Sequence, residues 1–156
     1  MGDRVAVLKD GVLQQVNTPR ALYDDPVNTF VATFIGAPAM NLIDAAVTDG
    51  MVTSPDLAIA VPRSAAGKKR VLIGVRPESW DVAAAGAPGS VPVQVELVEE
   101  LGFESFVYAT PVEELAQRIV FRTDRRTAVS VGEALSIVPH PREVCFFDGE
   151  TGERIR

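Results

Sequence analysis

The stretch VPVQVELVEELGFESFVYAT, residues 91–110, indicates the fold class of this chain. It contains two runs rich in β-branched and aromatic residues, 91–100 and 103–110, which Gly102 separates. Runs of this length, bounded by turn residues, are typical of β-strands. The stretch therefore predicts two successive strands with a turn at Gly102.

Similar runs fill the chain from about residue 42 onwards. These further candidate strands are 42–48, 51–53, 57–61, 70–76, 117–122, 134–138 and 144–147. Turn signals separate them, for example Asp49-Gly50 and the proline-containing segment 139–141. Many short strands with this punctuation predict a mainly β fold, either a small barrel or a sandwich.

Residues 4–16 predict a β-hairpin. Two apolar runs flank the dipeptide Asp10-Gly11. This dipeptide favours a two-residue type I′ turn, in which both central residues need a positive φ. A small hairpin is therefore expected ahead of the β-rich region.

Two short helices are expected after the hairpin. Thr18 can cap the first helix, and Pro19 suits its first position because no needed N–H is lost there. Asn28 can cap the second helix, and Gly36 fits a left-handed stop at its end. Residues 1–42 are too few to bury a core of their own, whereas 43–156 have the size of an ordinary domain. We therefore expect a division near residue 42.

The composition limits the classes of partner. The 156-residue chain has a formal net charge of −6, and an acidic surface repels phosphate backbones, so we expect no nucleic-acid partner. No run of about 20 apolar residues is present, so we expect no direct insertion into a membrane. The single cysteine, Cys145, excludes a disulfide within the chain, which suits the cytoplasm.

Motifs for catalysis are absent from the sequence. There is no G-x-x-x-x-G-K-[ST] loop and no G-x-G-x-x-G loop to hold phosphates. His140 is the only histidine, and one histidine cannot build a metal site alone. We expect no catalytic, cofactor-binding or metal-binding residue on this chain, and no enzyme activity of its own.

Two charged segments are candidate sites. Arg76 and Glu78 flank Pro77 after an apolar strand; they either pair locally across the turn or form a ligand- or partner-facing corner. The second segment is the basic cluster beside a strand, which consists of Arg63, Lys68, Lys69 and Arg70. This cluster either meets a small anion or belongs to a solvated loop.

Aromatic residues give the third candidate site. Trp80, Phe103, Phe106 and Tyr108 either lie on a surface that contacts a second copy of the chain or pack in the core. The sequence leaves both interpretations open for each residue.

Several segments, in a fixed order, carry a family resemblance. They are 2–8 (GDRVAVL), 15–26 (QVNTPRALYDDP), 30–41 (FVATFIGAPAMN), 74–78 (GVRPE), 95–102 (VELVEELG) and 146–155 (FFDGETGERI). Together they resemble the ATP-hydrolysing subunits of bacterial ABC importers for sugars and glycerol phosphate. The stretch 30–41 is the most specific of them.

The resemblance implies an organisation and a function. Residues 1–42 would be the end of a nucleotide-binding domain, and 43–156 a transport-associated OB-like regulatory domain. The parent protein would bind ATP and Mg²⁺ outside this chain, form a homodimer and associate with membrane-spanning permease subunits on the inner face of the cell membrane. Arg76, Glu78, Trp80, Phe103 and Phe106 would be regulatory or dimer contacts. The alternative is an OB-like sensor that binds a small anion or a sugar.

Overall fold

The computed structural model describes residues 2–53, 57–113 and 117–156 and confirms a mainly β fold. The first part contains a hairpin and two helices. Its elements are β1 (Val5–Lys9), β2 (Val12–Asn17), α1 (Pro19–Asp24) and α2 (Thr29–Phe34). The hairpin turn is as predicted, since Asp10 and Gly11 have φ values of 50° and 78°.

Both helices begin at the predicted caps. The Thr18 hydroxyl accepts a hydrogen bond from the Ala21 N–H at 3.2 Å. The Asn28 side chain accepts one from the Val31 N–H at 2.9 Å. Each cap satisfies one N–H that the first turn of a helix leaves without a partner.

The second part consists of two five-stranded antiparallel sheets. Its strands are β3 (Asn41–Thr48), β4 (Met51–Val52), β5 (Arg70–Val75), β6 (Trp80–Ala83), β7 (Val91–Glu100), β8 (Glu104–Pro111), β9 (Ile119–Asp124), β10 (Ala134–Pro139), β11 (Cys145–Asp148) and β12 (Arg154–Ile155). One sheet has the order β6-β10-β7-β8-β9, and the other has the order β12-β11-β5-β3-β4. Both contribute buried residues to one apolar core, in which Ile73, Val93 and Phe121 are fully buried.

The strand predictions were wrong at three segments. The segment 57–61 forms only an isolated bridge between Ala60 and Met51, and no extended ladder. Conversely, β6 and β12 were not predicted. β6 follows the 3-10 turn Pro77–Ser79 at once and exposes its charged residue Asp81, so it lacks an apolar run of strand length.

Asn41 links the two sheets. Its side-chain nitrogen donates to the carbonyls of Val75 at 3.0 Å and Val120 at 2.8 Å. Its side-chain oxygen accepts from the Val120 N–H at 2.8 Å. Asn41 is only 8% exposed, and a buried side-chain amide without hydrogen bonds would destabilise the fold. These three bonds satisfy it.

A second, smaller core joins the first part of the chain to the second sheet. Ala32 of α2 and Met40 pack there with Cys145 and Phe147 of β11. Cys145 is a buried free thiol in this cluster. The division near residue 42 stays a prediction, since this core spans it. None of the described helices has the length and hydropathy needed to cross a membrane.

The substitution Gly74→Ala should destabilise the chain. A Cβ at Gly74 would lie 2.5 Å from the Met40 sulfur and 2.8 Å from the Phe147 ring. Overpacking of this kind costs about 1–3 kcal/mol, which a urea titration followed by circular dichroism would measure. Gly67→Ala is the control, because a Cβ there meets nothing within 4 Å. Equal stability of the two variants would contradict this account of the smaller core.

Candidate functional site at the Arg76 junction

Arg76 is buried at the point where β5 ends. The residue is 5% exposed. Its Nη1 donates to the carbonyls of Ala32 at 2.9 Å and Ile35 at 2.7 Å, and its Nη2 donates to the Tyr23 carbonyl at 2.8 Å. One guanidinium from the β-rich part therefore holds three backbone carbonyls of the first part.

These carbonyls lie at the C-terminal ends of α1 and α2. Such groups have no partner within their own helix, and a cation near them is favoured by the helix dipole. The guanidinium offers five N–H donors in one plane, so it can donate to several carbonyls while its face lies on an aromatic ring, whereas an ammonium has no such planar face. Burial lowers the pKa of Arg76, but an arginine remains charged in proteins.

Tyr23 and Glu78 complete the junction. The Arg76 guanidinium lies over the Tyr23 ring, 3.9 Å from its centroid. The Tyr23 hydroxyl donates to the Glu78 carboxylate at 2.5 Å. Burial, followed by the hydrogen bond to Glu78, raises the pKa of Tyr23 to about 12. No ion pair joins Arg76 to Glu78 among the described residues. Both side chains contact Tyr23 instead.

Gly36 makes the close approach possible. Its φ is 115°, a value that favours glycine. A Cβ at this position would lie 3.0 Å from the Tyr23 ring and 3.1 Å from the Arg76 Nη1. The glycine that was predicted as a helix stop therefore also leaves room for the guanidinium.

The end of the chain forms a second contact with the helices. The Thr29 N–H donates to the Gly152 carbonyl, and the Arg154 N–H donates to the Val27 carbonyl, both at 2.9 Å. Arg156 pairs with Asp25 at 2.8 Å. These contacts could not be predicted from the sequence, because no local pattern relates residues so far apart in the chain.

The candidate aromatic residues do not share one surface. Trp80 is 2% exposed and packs in the main core, which is one of the two positions that the sequence left open for it. Phe103 is 72% exposed at the turn between β7 and β8. Phe106 and Tyr108 are half-buried on β8.

Phe106 and Tyr108 lie on the face of the sheet that points away from the core. Their buried neighbours in β8, Val107 and Ala109, point into the core, and side chains alternate along a strand. Leu97 pairs with Tyr108 across the β7–β8 ladder and is 51% exposed. We call Leu97, Phe106 and Tyr108 the outer apolar face.

Two of the four residues in the basic cluster form ion pairs with carboxylates. Lys68 forms an ion pair with Asp148, and this hydrogen bond is the first cause that lowers the pKa of Asp148 to about 2. Arg70 holds the Asp44 carboxylate with two nitrogens. The remaining two members, Arg63 and Lys69, are exposed. Binding of an anion there stays a prediction, and these two ion pairs weaken the case for it.

Comparison with known proteins identifies the class of domain. Residues 36–79 match the family of the MalK OB fold domain, and residues 73–147 match the TOBE domain family. The cytoplasmic molybdate-binding protein ModG with molybdate bound shares the fold, with a TM-score of 0.54 and 16% identity over 68% of this chain and 94% of that chain. Residues 36–147 are therefore covered by matches to the OB and TOBE domain families.

Relatives in sequence identify the family. The diacetylchitobiose uptake system ATP-binding protein MsiK of Streptomyces coelicolor is 42% identical over 99% of this chain and 46% of its own length. The sn-glycerol-3-phosphate import ATP-binding protein UgpC of Paracoccus denitrificans is 37% identical over 99% of this chain and 43% of its own length. The oligosaccharides import ATP-binding protein MsmX of Bacillus subtilis is 33% identical over the whole chain and 45% of its own length.

The chain carries the OB and TOBE region of such proteins: its residues 36–79 and 73–147 match these two domain families, and the relatives above are ATP-binding proteins of sugar or glycerol-phosphate import and uptake systems. This confirms the resemblance found in its motifs. The chain spans a little under half the length of the curated relatives that it matches.

Replacement of Arg76 by lysine should loosen the junction. An ammonium cannot reach three carbonyls and the Tyr23 ring together, so we expect a loss of about 3 kcal/mol in the free energy of unfolding. Urea denaturation of the purified chain would measure it. Arg63→Lys is the control, because Arg63 is exposed. If both variants unfolded at the same urea concentration, Arg76 would not hold the helices.

The Tyr23 hydroxyl should make stability depend on alkaline pH. Its pKa rises from 10.0 to about 12 on folding. A group whose folded pKa is raised contributes stability below its unfolded pKa and loses it as pH rises through the folded value. Unfolding free energies measured between pH 9 and about pH 12 should therefore fall with pH, and Tyr23→Phe should flatten that slope.

Tyr108→Phe is the control for this measurement. It removes the only other tyrosine of the chain but leaves the contact between Tyr23 and Glu78. A slope that persists in Tyr23→Phe and disappears in Tyr108→Phe would contradict the assignment.

Proposed function

We propose that this chain is the regulatory and dimerisation region of the ATP-binding subunit of an ABC importer for sugars or glycerol phosphate. The longer protein couples ATP hydrolysis to solute import, and ATP and Mg²⁺ bind in its nucleotide-binding domain rather than on this chain. The named relatives are ATP-binding proteins of import or uptake systems, which supports this assignment.

The observation that carries the proposal is the Arg76 junction. Arg76 belongs to the OB and TOBE region, and it caps both helices of the part that we assign to the nucleotide-binding domain. A displacement of β5 would therefore move the helix ends with it. The junction gives the regulatory domain a rigid connection through which a signal can reach the site of ATP hydrolysis.

The exposed apolar face of the hairpin supports the assignment of the first part to a larger nucleotide-binding domain. Leu8 and Leu13 lie opposite each other in the ladder, and each is 55% exposed. Ala6 and Val16 form the next exposed pair on the same face. Exposed apolar pairs on one face of a two-stranded ribbon need a partner surface, and we assign that surface to the rest of the nucleotide-binding domain.

The remaining assignments follow from the same proposal. The subunit works in the cytoplasm, at the inner face of the membrane, where it contacts the membrane-spanning permease subunits. The acidic balance of the chain, with 21 carboxylates against 15 lysines and arginines, disfavours nucleic acid as a partner. No group on this chain is assigned to catalysis.

Self-association is assigned to the outer apolar face. Leu97, Phe106 and Tyr108 lie together on the exposed side of β7 and β8, beside Glu99, which pairs with Phe106 in the ladder and accepts from the Tyr108 hydroxyl. A two-fold axis can bring this patch against its own copy, so that each subunit covers the other. Phe103 lies outside this face, at the turn that precedes β8.

Leu97→Asp should weaken the dimer. A carboxylate in the centre of an apolar contact is desolvated without a partner, so the dissociation constant should rise by about tenfold or more. Light scattering after size exclusion, over a range of concentrations of the purified chain, would measure it. The control is Val12→Asp, which places the same charge on the exposed hairpin.

Either of two results would overturn the proposal. A dimer that survives Leu97→Asp but not Val12→Asp would assign self-association to the hairpin. ATP hydrolysis by the purified 156-residue chain would place the catalytic site on a region to which we assign none.

A further inference from the structure

Residues 152–156 connect the second sheet to the loop between α1 and α2. They contain β12, which lies at the edge of its sheet, next to β11. An edge strand leaves a row of N–H and C=O groups without a partner in the sheet. Here the Arg154 N–H donates to the Val27 carbonyl, and the Gly152 carbonyl accepts from the Thr29 N–H, both at 2.9 Å. The loop is therefore attached along the open edge of the sheet, and we call residues 152–156 the strap.

Gly152 permits the close contact between the strap and the start of α2. Its φ is 73°, a value that favours glycine. A Cβ at this position would lie 2.7 Å from the Thr29 Oγ1, which is closer than such atoms can pack. The contact between the strap and the loop therefore depends on a residue without a side chain.

Two arginines of the strap converge on one carboxylate of the loop. The Asp25 carboxylate accepts from the Arg156 Nη2 at 2.8 Å and lies 3.7 Å from the Arg154 Nε. The side chains of Asp25 and Arg156 are 56% and 58% exposed. Exposed ion pairs contribute little to stability, and salt screens them. The side-chain contacts of the strap are therefore sensitive to ionic strength.

The Arg76 junction has the opposite properties. Arg76 is buried, and its hydrogen-bond acceptors are uncharged backbone carbonyls. Salt screens the interactions of exposed charges much more than those of buried groups. The two connections between the parts of the chain therefore differ in their response to salt, and the strap is the one that salt weakens.

The loop is attached to the hairpin as well as to the strap. The Gln15 side chain accepts from the Val27 N–H and donates to the Asp25 carbonyl, both at 3.0 Å. The Asn28 side chain donates to the Gln14 side chain at 2.8 Å. These bonds do not involve the strap, so the loop stays with the hairpin when the strap opens.

Other contacts hold α2 and the strap itself in place. Ala32 of α2 packs with Met40 and Phe147 in the smaller core, beside the Arg76 junction. The Arg154 guanidinium lies over the Phe147 ring, 5.5 Å from its centroid, which keeps the strap on the sheet. Proteins open locally wherever few buried contacts are lost. The loop and the hairpin can therefore leave the edge of the sheet together while α2 remains packed.

We propose that the strap is a releasable second connection between the β-rich part and the first part of the chain. It opens when the charge of Asp25 is screened or removed. Opening separates the loop and the hairpin from the edge of the sheet, whereas the Arg76 junction stays closed. In the ATP-binding subunit, the strap thus regulates how firmly the β-rich region holds the hairpin, whose exposed face we assign to the nucleotide-binding domain.

The regulatory role of the strap rests on the function proposed above, whereas its opening is a property of the 156-residue chain. The opening needs neither a dimer nor a nucleotide-binding domain. Hydrogen exchange of single amides reports the opening, and light scattering reports the dimer. A failure of one experiment would therefore leave the other unaffected.

Hydrogen–deuterium exchange of single amides, followed by NMR on the purified chain, tests the proposal. The Thr29 and Arg154 N–H groups report on the strap, because they form its two backbone hydrogen bonds to the loop. The Val27 and Ile35 N–H groups are references for the hairpin contact and for the end of α2.

Salt should open the strap selectively. Between about 0.1 M and about 1 M NaCl, the distance over which charges interact falls from about 10 Å to about 3 Å. We expect the two strap amides to exchange about two- to fivefold faster at the higher concentration, relative to the two reference amides.

Matched variants assign the response to Asp25. Asp25→Asn removes the charge but preserves the shape of the side chain, so the faster exchange should appear already at the lower salt concentration. Asp24→Asn is the control, because the partner of Asp24 is Arg20 in the same helix and not the strap. Its strap amides should exchange as in the unchanged chain.

Gly152→Ala should open the strap without any change of charge. Its Cβ would collide with the Thr29 Oγ1, so the strap amides should exchange about tenfold faster or more at both salt concentrations. Gly86→Ala is the control, since Gly86 has the same φ of 73° but a Cβ there meets nothing within 4 Å.

Three results would overturn the inference. The first is exchange of the strap amides that neither salt nor Asp25→Asn accelerates, and the second is an equal effect of Asp24→Asn. The third is equal acceleration of the Val27 and Ile35 amides, because the first part of the chain would then unfold as a whole. Asp25→Asn changes an exposed side chain, so a folded variant is expected, and circular dichroism would verify it.

Discussion

The connection between the two parts of this chain depends on one buried guanidinium. Both short helices end in carbonyls that no helical N–H can satisfy, and Arg76 donates hydrogen bonds to three of them. Its own position is fixed by β5, which lies in the middle of its sheet. Gly36 and Tyr23 then provide the space and the aromatic surface that the guanidinium requires. The helices are therefore ordered by the β-rich part as much as by their own caps.

Two further features give this arrangement its rigidity. The Asn41 amide bonds both sheets at once, and it does so at the first residue of β3, immediately after the segment that leaves α2. The small core around Met40 and Phe147 lies beside it. Residues 36–41 therefore provide three features in one stretch. Gly36 leaves room for Arg76, Met40 packs in the smaller core, and Asn41 links the two sheets. These residues lie within 30–41, the most specific stretch of the family resemblance.

Most of the fold could be predicted from the sequence, whereas most of the site could not. Strands such as β7 alternate buried and exposed residues along half their length, and the caps at Thr18 and Asn28 are local signals. The partners of Arg76 lie 41 to 53 residues away in the chain, and no local pattern encodes them. Burial of Trp80 was likewise undecidable, because an aromatic residue suits a core and an interface equally well.

The contacts made by the end of the chain set an order of assembly. Residues 152–156 hold the loop between the helices through Gly152, Arg154 and Arg156, and the ion pair with Asp25 joins residues 131 positions apart. Contacts so distant in sequence close large loops, which costs chain entropy. On the ribosome, residues 19–34 emerge well before residues 152–156. The contacts that these last residues make with the α1–α2 region can therefore form only after most of the β-rich part has been synthesised.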